Sequence, residues 1–101
     1  MPDGEQYDAK ECFKKGEAYR TGEGVEQSDA EAVKWHTLAA DQGDARAQYN
    51  LGLMYRNGRG VKKSYEDAIK WHTLAADQGD ARAQFNLSWM YKNGKGVEQF
   101  I

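Results

Sequence analysis

The sequence has little of what several functional classes require. Its one cysteine, Cys12, excludes an internal disulfide and a cysteine-built metal cage, so we expect a buried, unreactive thiol. No apolar run approaches the roughly 18 residues that a membrane-spanning helix needs. A net charge of -2 leaves no global basic field to hold nucleic acid or an anionic membrane. Membrane and nucleic-acid partners are therefore not expected.

The first ten residues also lack the basic start and the apolar stretch of a signal peptide. This favours a cytoplasmic location, unless a leader has been removed. The length of 101 residues fits one domain, and a chain of this size can bury enough surface to fold without disulfides or metals.

The sequence repeats itself. Residues 34–51 return at 70–87 with seventeen of eighteen positions unchanged, and Trp35 and Trp71 give a period of 36 residues. Val25, Val61 and Val97 keep the same step. A repeat of this length is typical of a solenoid, in which each unit buries its apolar face against its neighbours.

Apolar residues recur at helical spacing within each repeat, and the strict alternation of a strand is absent. Asp44 and Asp80 are suited to cap helix N-termini, and Ser28 with Glu31 forms a capping-box pattern. Glycines 58 and 94 would end helices. The pattern predicts two kinds of helix, A and B, at these positions: A1 near 7–20, B1 near 29–41, A2 near 45–57, B2 near 65–77 and A3 near 81–93.

One repeat carries this set of residues: Leu51, Gly52, Tyr55, Gly58, Gly60, Val61, Ala68, Trp71, Ala75, Ala76, Gly79, Asp80 and Ala81. The pattern resembles the Sel-one-like repeat (SLR), a branch of the tetratricopeptide-repeat (TPR) superfamily, over nearly the whole chain. The resemblance implies an all-α fold, a right-handed α-solenoid of antiparallel helix hairpins with about two and a half SLR/TPR-like repeats. We expect a single domain of residues 1–101, with repeat 1 at about 8–43, repeat 2 at about 44–79 and a half repeat at 80–101.

Three features depart from the family pattern. His36 and His72 stand where an aromatic residue is usual, Ser88 replaces a glycine, and helix A1 is unusually charged, as an N-terminal cap would be. We expect each histidine to be partly buried in place of the aromatic residue.

Nothing in the sequence assembles a catalytic or cofactor site. The two histidines lie on successive B helices, too far apart to share a metal ion. Ser28 and Ser64 are expected as helix caps, and the Gly-x-Gly segments follow helices rather than strands, which argues against a phosphate loop. We therefore predict a protein that is not an enzyme, with no metal and no cofactor.

The functional signal lies on the A helices, on the side that the resemblance assigns to the concave wall of the solenoid. Large cationic, aromatic and amide side chains recur there, as binding surfaces require. The predicted peptide-binding groove comprises Phe13, Arg20, Arg46, Tyr49, Asn50, Leu53, Arg56, Arg82, Phe85, Asn86, Trp89 and Lys92. It would favour an extended segment with acidic and apolar side chains. Alternatively, Phe85 and Trp89 are core residues of an incomplete repeat.

Helix A3 has no following B helix to cover it, which predicts self-association, with a symmetric homodimer as the simplest form. The residues expected to take part are Leu87, Met90, Tyr91, Val97, Phe100 and Ile101. The last three could instead fold back as a partial cover.

Adaptor function is what the resemblance implies, with a protein or peptide as the partner. Three alternatives stay open: a self-assembling repeat module, a nucleic-acid reader, which the acidic charge disfavours, and a consensus-type designed repeat without a natural ligand.

Overall fold

The computed structural model describes residues 7–97, and five α-helices lie within them. In chain order they are α1 (Ala9–Thr21), α2 (Asp29–Asp41), α3 (Ala45–Asn57), α4 (Tyr65–Asp77) and α5 (Ala81–Lys92). Each predicted helix is confirmed, and its ends lie within two residues of the predicted ones. Phe100 and Ile101 of the predicted self-association surface lie outside the described residues.

The helices pack as antiparallel hairpins. Contacts are most extensive between α1 and α2 and between α3 and α4, and α2 then packs on α3 as α4 packs on α5. The predicted all-α solenoid is therefore confirmed, with α5 as the first helix of the third repeat. Among the described residues, no helix is long and apolar enough to cross a membrane.

The caps explain why the helix starts could be predicted. The Asp44 carboxylate accepts from the backbone N–H groups of Arg46 and Ala47 at 2.9 and 3.2 Å, which satisfies two donors of the first turn of α3. Asp80 does the same for α5, and the Ser64 hydroxyl accepts from the first turn of α4 at 3.1 Å. Sequence-local hydrogen bonding thus fixes where these helices begin.

The predicted capping box at α2 is only half formed. The Ser28 hydroxyl accepts from the backbone N–H of Glu31 at 3.2 Å, but the Ser28 N–H donates to the carbonyl of Tyr19 at 2.9 Å and not to the Glu31 carboxylate. A complete capping box is present at α1 instead. There the Asp8 carboxylate accepts from Glu11 N–H at 2.8 Å, and the Glu11 carboxylate accepts from Asp8 N–H at 3.2 Å.

Glycine allows the turns after α3 and α5 to lie against the preceding repeat. Gly60 has φ +73°, and a Cβ there would collide with the backbone carbonyl of Asp29 at the start of α2. Next to it, Arg59 Nη2 pairs with the Asp29 carboxylate at 3.1 Å. Gly96 takes the same position against Tyr65 at the start of α4.

Small side chains and two histidines fill the space between helices. Alanines at positions 32, 39, 47, 68 and 75 are fully buried, together with Cys12 as expected and Leu51. His36 and His72 are also 0% exposed. The expectation that they are partly buried was wrong, because each ring lies directly against an A-helix backbone, at a glycine.

The two sides of α5 differ sharply. Ala83 and Met90 are fully buried, whereas Phe85 is 72% exposed and Tyr91 is 52% exposed. The prediction that Met90 lies on the open face was wrong: it is buried like Met54, its equivalent one repeat earlier. Leu87 and Val97 of the same predicted set are half-buried.

Candidate peptide-binding groove

Helices α1 and α3 enclose a small cavity on the predicted groove face. Its volume is about 120 Å³, and the residues that line it are Arg20, Asn50, Leu53, Met54, Asn57 and Arg59. The structure thus brings together three of the predicted site residues, Arg20, Asn50 and Leu53. The sequence analysis missed the contribution of Asn57 and Arg59, although their place beside the turn glycine of the repeat was visible in the sequence.

Arg46 stacks on the first repeat. Its guanidinium carbon lies 4.1 Å from the centroid of the Phe13 ring, and its Nη2 pairs with the Asp44 carboxylate at 2.8 Å. Burial alone would raise the pKa of Asp44, but the hydrogen bonds from Arg46 and from the Ala47 N–H, with the charge of Arg46, outweigh it and lower the pKa. Because Phe13 belongs to α1, the stacked Arg46 links α3 to α1, and its ion pair with Asp44 holds the guanidinium there.

Arg82 repeats this arrangement one unit later. It lies 4.2 Å from the centroid of the Tyr49 ring and pairs with Asp80 at 2.9 Å. Two of the predicted groove cations, Arg46 and Arg82, are therefore engaged within the chain.

A histidine lies on another side of each stacked ring. The ring centroids are 5.3 Å apart for Phe13 and His36 and 5.5 Å apart for Tyr49 and His72. The equivalent third ring, Phe85, meets neither a histidine nor an arginine within the described part of the chain. Phe85 is exposed because those two neighbours are absent from the described residues. This supports the interpretation of Phe85 as a packing residue of an incomplete repeat.

Glu17 organises the polar part of the first repeat. Its carboxylate accepts two bonds of 2.8 Å from Arg20, a bond of 3.3 Å from the Asn50 amide, and faces His36 Nε2 at 3.1 Å. The hydrogen bond from Arg20 is the largest cause of the lowered pKa of Glu17. At the equivalent position the second repeat has Leu53, so this network occurs once in residues 7–97.

Arg56 differs from the other groove arginines. Its Nη1 donates to Asn86 Oδ1 at 2.7 Å, and its guanidinium carbon lies 4.5 Å from the centroid of the Trp89 ring, which is 36% exposed. Within residues 7–97, no carboxylate lies within ion-pair distance of Arg56. Arg56 is thus the groove arginine that has an aromatic platform and, among the described residues, no anionic partner.

The two predicted groove amides are placed differently. Asn86 is 8% exposed, accepts from Arg56 and donates to the carbonyl of Arg82 at 3.0 Å, so its amide is already used. Asn50 is half-buried and donates to Glu17, and its oxygen has no hydrogen-bond partner among residues 7–97. Lys92, at the end of α5, is exposed.

Burial dominates the electrostatics of the histidines. It lowers the pKa of His36, against the opposing charge of Glu17. At His72 burial, together with the charge of Arg56, outweighs the opposing charge of Asp80 and lowers the pKa from 6.5 to about 4. Among the described residues, no three His, Cys, Asp or Glu side chains are grouped as a metal site.

The sequence matches one protein family. The profile of the Sel1 repeat family matches residues 9–44, 45–80 and 81–99. No curated protein matches the sequence significantly.

Several solved structures are similar to this chain. The antigen c5321 of uropathogenic Escherichia coli, described as having an SLR fold, is 39% identical with a TM-score of 0.88, over 89% of this chain and 19% of that one. A Sel1 repeat protein from Oxalobacter formigenes is 35% identical with a TM-score of 0.89, over 99% and 41%. Cysteine rich protein B of Helicobacter pylori is 25% identical with a TM-score of 0.75, over 78% and 59%. The chain thus spans less than two thirds of each.

Proposed function

Because the chain belongs to the Sel1 repeat family, we propose that it is a protein-interaction scaffold that binds an extended peptide along the face formed by α1, α3 and α5. Repeat proteins of this family generally act in protein–protein interaction. What supports this face is Arg56, a guanidinium held on an aromatic ring with no carboxylate of residues 7–97 paired to it.

Arg56 is suited to bind a carboxylate of the partner. Asn86 and Trp89 hold the guanidinium in place, so less conformational freedom is lost when a ligand binds. Its remaining N–H groups offer the paired donors that a carboxylate accepts. The peptide would therefore place an acidic side chain or its terminal carboxylate between α3 and α5.

The cavity between α1 and α3 is suited to the next part of the ligand. Leu53 gives it an apolar wall, and a volume of about 120 Å³ fits an aliphatic side chain of moderate size. At its rim the Asn50 oxygen can accept from a peptide N–H. The proposed ligand thus combines one acidic and one apolar anchor.

Arg46 and Arg82 remain predicted contacts, but weaker ones. A partner carboxylate would have to compete with Asp44 and Asp80. This difference provides a matched pair of variants, since Arg46 and Arg56 lie on the same helix.

The test is to select acidic peptides from a displayed library and to measure their affinity by fluorescence anisotropy. Arg56→Gln should weaken binding about 10- to 100-fold, as expected for a lost charged hydrogen bond. Arg46→Gln, the control, should change the affinity far less. Equal effects of the two variants, or none, would show that Arg56 is not the anchor.

We also propose that the protein has no catalytic activity, does not bind nucleic acid or membranes, and is located in the cytoplasm. The Sel1 repeat is typically a non-enzymatic scaffold. The net charge of -2 supports a preference for protein over nucleic acid.

A second candidate is self-association through α5. The exposed rings of Phe85 and Tyr91 favour it, since burying a large apolar side chain is worth about 1.5–3 kcal/mol. Sedimentation at micromolar concentration would show a dimer that Phe85→Lys weakens. A monomer at every concentration would exclude this candidate.

A further inference from the structure

A closed set of polar side chains links the first two repeats. The carboxylate of Asp29, the first residue of α2, accepts from Gln27 Nε2 at 2.9 Å and from Arg59 Nη2 at 3.1 Å. Arg59 belongs to the turn after α3, one repeat later. One carboxylate thus meets one guanidinium and one neutral amide, and the charges of the set cancel.

The same three positions lack the carboxylate one repeat later. Tyr65 stands in place of Asp29, and Lys63 and Lys95 stand in place of its two partners. Both ammonium groups lie over the Tyr65 ring, with Nζ 4.8 Å from the ring centroid for Lys63 and 5.6 Å for Lys95. Among residues 7–97, no carboxylate lies within ion-pair distance of either lysine. The second set therefore has two positive charges and no negative one.

We propose that Lys63 and Lys95 bind a phosphate monoester beside Tyr65, at the place where the first set holds the Asp29 carboxylate. A phosphate fits better than a single carboxylate, because its charge of about -1.5 to -2 at pH 7 balances both lysines. Each ammonium is a compact charge with three donors on a flexible stem, so the two can close on the phosphate oxygens. The inference does not depend on the proposed function, since neither lysine belongs to the predicted groove.

The Tyr65 hydroxyl reports the positive field of this site. Its hydrogen bond with Lys63 lowers its pKa against the effect of burial, and the charges of Lys63, Lys95 and Arg56 act in the same direction. A field that favours the phenolate over the phenol also favours a phosphate placed beside it.

The first set shows that a site of this kind stays accessible where another hairpin follows it. The side chains of Asp29 and Arg59 are 31% and 51% exposed, although α4 follows in the chain. Residues 62–65, which lead into α4, make no hydrogen bond or ion pair with the first set. The accessibility of the second set is therefore a property of its place in the repeat.

A ligand can approach Lys63 from a neighbouring cleft. Lys63 is exposed, and together with Lys62 it lines an open cleft with a volume of about 530 Å³. Asp67 lines the same cleft but lies beyond ion-pair distance of both lysines. The cleft thus offers room for the group that carries the phosphate.

The test is a chemical-shift titration of the isotope-labelled chain at pH 7.5 and constant ionic strength. The probes are inorganic phosphate, acetate, and a blocked peptide of glycines with one phosphoserine at its centre. Phosphate should shift the amides of residues 63, 65 and 95, and it should bind about fivefold more tightly than acetate, which carries one charge. Lys63→Met and Lys95→Met should each weaken phosphate binding about three- to fivefold, as expected for one exposed charge pair.

Two controls separate the site from the general charge of the protein. Lys70 lies over the Trp71 ring at 5.3 Å without a second lysine on that ring, so Lys70→Met should leave the affinity for phosphate unchanged. Arg56→Gln should weaken phosphate binding less than either variant of the lysine pair, because the groove is a separate site.

Substitutions at Tyr65 test the equivalence with the first set. Tyr65→Asp restores the carboxylate of that set, which should occupy both lysines and weaken phosphate binding about tenfold. Tyr65→Phe keeps the ring and the lysines and should change the affinity less than twofold. Aspartate is already accommodated at this position of α2, so the Asp variant is expected to fold.

The phosphopeptide identifies the source of the phosphate. Binding no tighter than that of free phosphate indicates a small phosphorylated molecule, whereas tighter binding indicates a phosphorylated protein, and both results support the site. Equal affinities for phosphate and acetate would overturn the proposal, as would a loss in Lys70→Met that equals the loss in Lys63→Met. Phosphate binding that survives in Tyr65→Asp, or no shift in the parent at about 0.1 M phosphate, would overturn it as well.

Discussion

His72 should make the protein sensitive to mild acid, at a pH where its carboxylates are still ionised. The ring is 0% exposed, and neither nitrogen has a hydrogen-bond partner within residues 7–97. Protonation would place a charge in this site beside Arg56, with only Asp80 to oppose that repulsion. The folded protein therefore holds His72 neutral.

The size of the effect follows from the pKa difference. The unfolded chain binds a proton at His72 near pH 6.5, whereas the folded chain binds it only near pH 4. Because the unfolded state holds more protons between these values, the free energy of unfolding falls as the pH falls. Each pKa unit is worth about 1.36 kcal/mol, so His72 alone should remove about 3 kcal/mol. Above the unfolded pKa this contribution is fully present.

Urea denaturation between about pH 7.5 and pH 4.5 measures the fall directly. His72→Phe should remove most of the decrease in unfolding free energy with falling pH. The slope with pH is compared, because the larger ring can change the absolute stability. His36→Phe is the matched control. It should flatten the curve less, since Glu17 opposes the effect of burial on the pKa of His36.

The carboxylates with lowered pKa values are not the main cause of the fall in stability in this pH range. They are Glu17, Asp44 and Asp80. Their stabilising contributions are lost only as the pH falls below their unfolded values of about 4, towards the lower folded ones. A variant His72→Phe whose stability falls with pH as steeply as that of the parent would refute the reasoning.

Two exchanges, two substitutions by alanine and one assay extend these predictions. Glu17→Leu should steepen the acid-induced loss of stability and Leu53→Glu should reduce it, in the same titration, because Glu17 faces His36 and Leu53 takes the equivalent position one repeat later. Gly52→Ala should cost about 1–3 kcal/mol in urea denaturation at neutral pH, since its Cβ meets the His72 ring. Ser88→Ala, on the exposed face of α5, should change stability by no more than about 0.5 kcal/mol. Elemental analysis of the purified protein should find no stoichiometric zinc.

The helices were predictable because their signals are local. Period and caps placed the five helices to within two residues, and the Asp44 and Asp80 caps use hydrogen bonds that span only two or three residues. The family pattern then supplied the order in which the hairpins pack. Such information is contained in a single repeat.

The groove was harder to predict because its partners come from different repeats. The stacking of Arg46 on Phe13 and of Arg82 on Tyr49 joins residues 33 positions apart, so equivalent cations that looked free are engaged. Arg56 is the same residue type as Arg46 and Arg82, but its partners are different.

Burial on α5 was misjudged for a related reason. Helical spacing shows which residues share a face, but not which neighbour covers that face, and Met90 was assigned to the wrong side. The pairing of Gly16 with His36 and of Gly52 with His72 was a signal in the sequence that could have placed the histidines against the A helices.

The most direct test of the scaffold account is a chemical-shift map of the isotope-labelled chain with an acidic peptide selected for binding. The account predicts that the perturbed amides and side chains cluster around Arg56, Trp89, Asn50 and Leu53, and that Arg56→Gln removes the perturbation at equal peptide concentration. Perturbations confined to α2 and α4, or unchanged in Arg56→Gln, would contradict it.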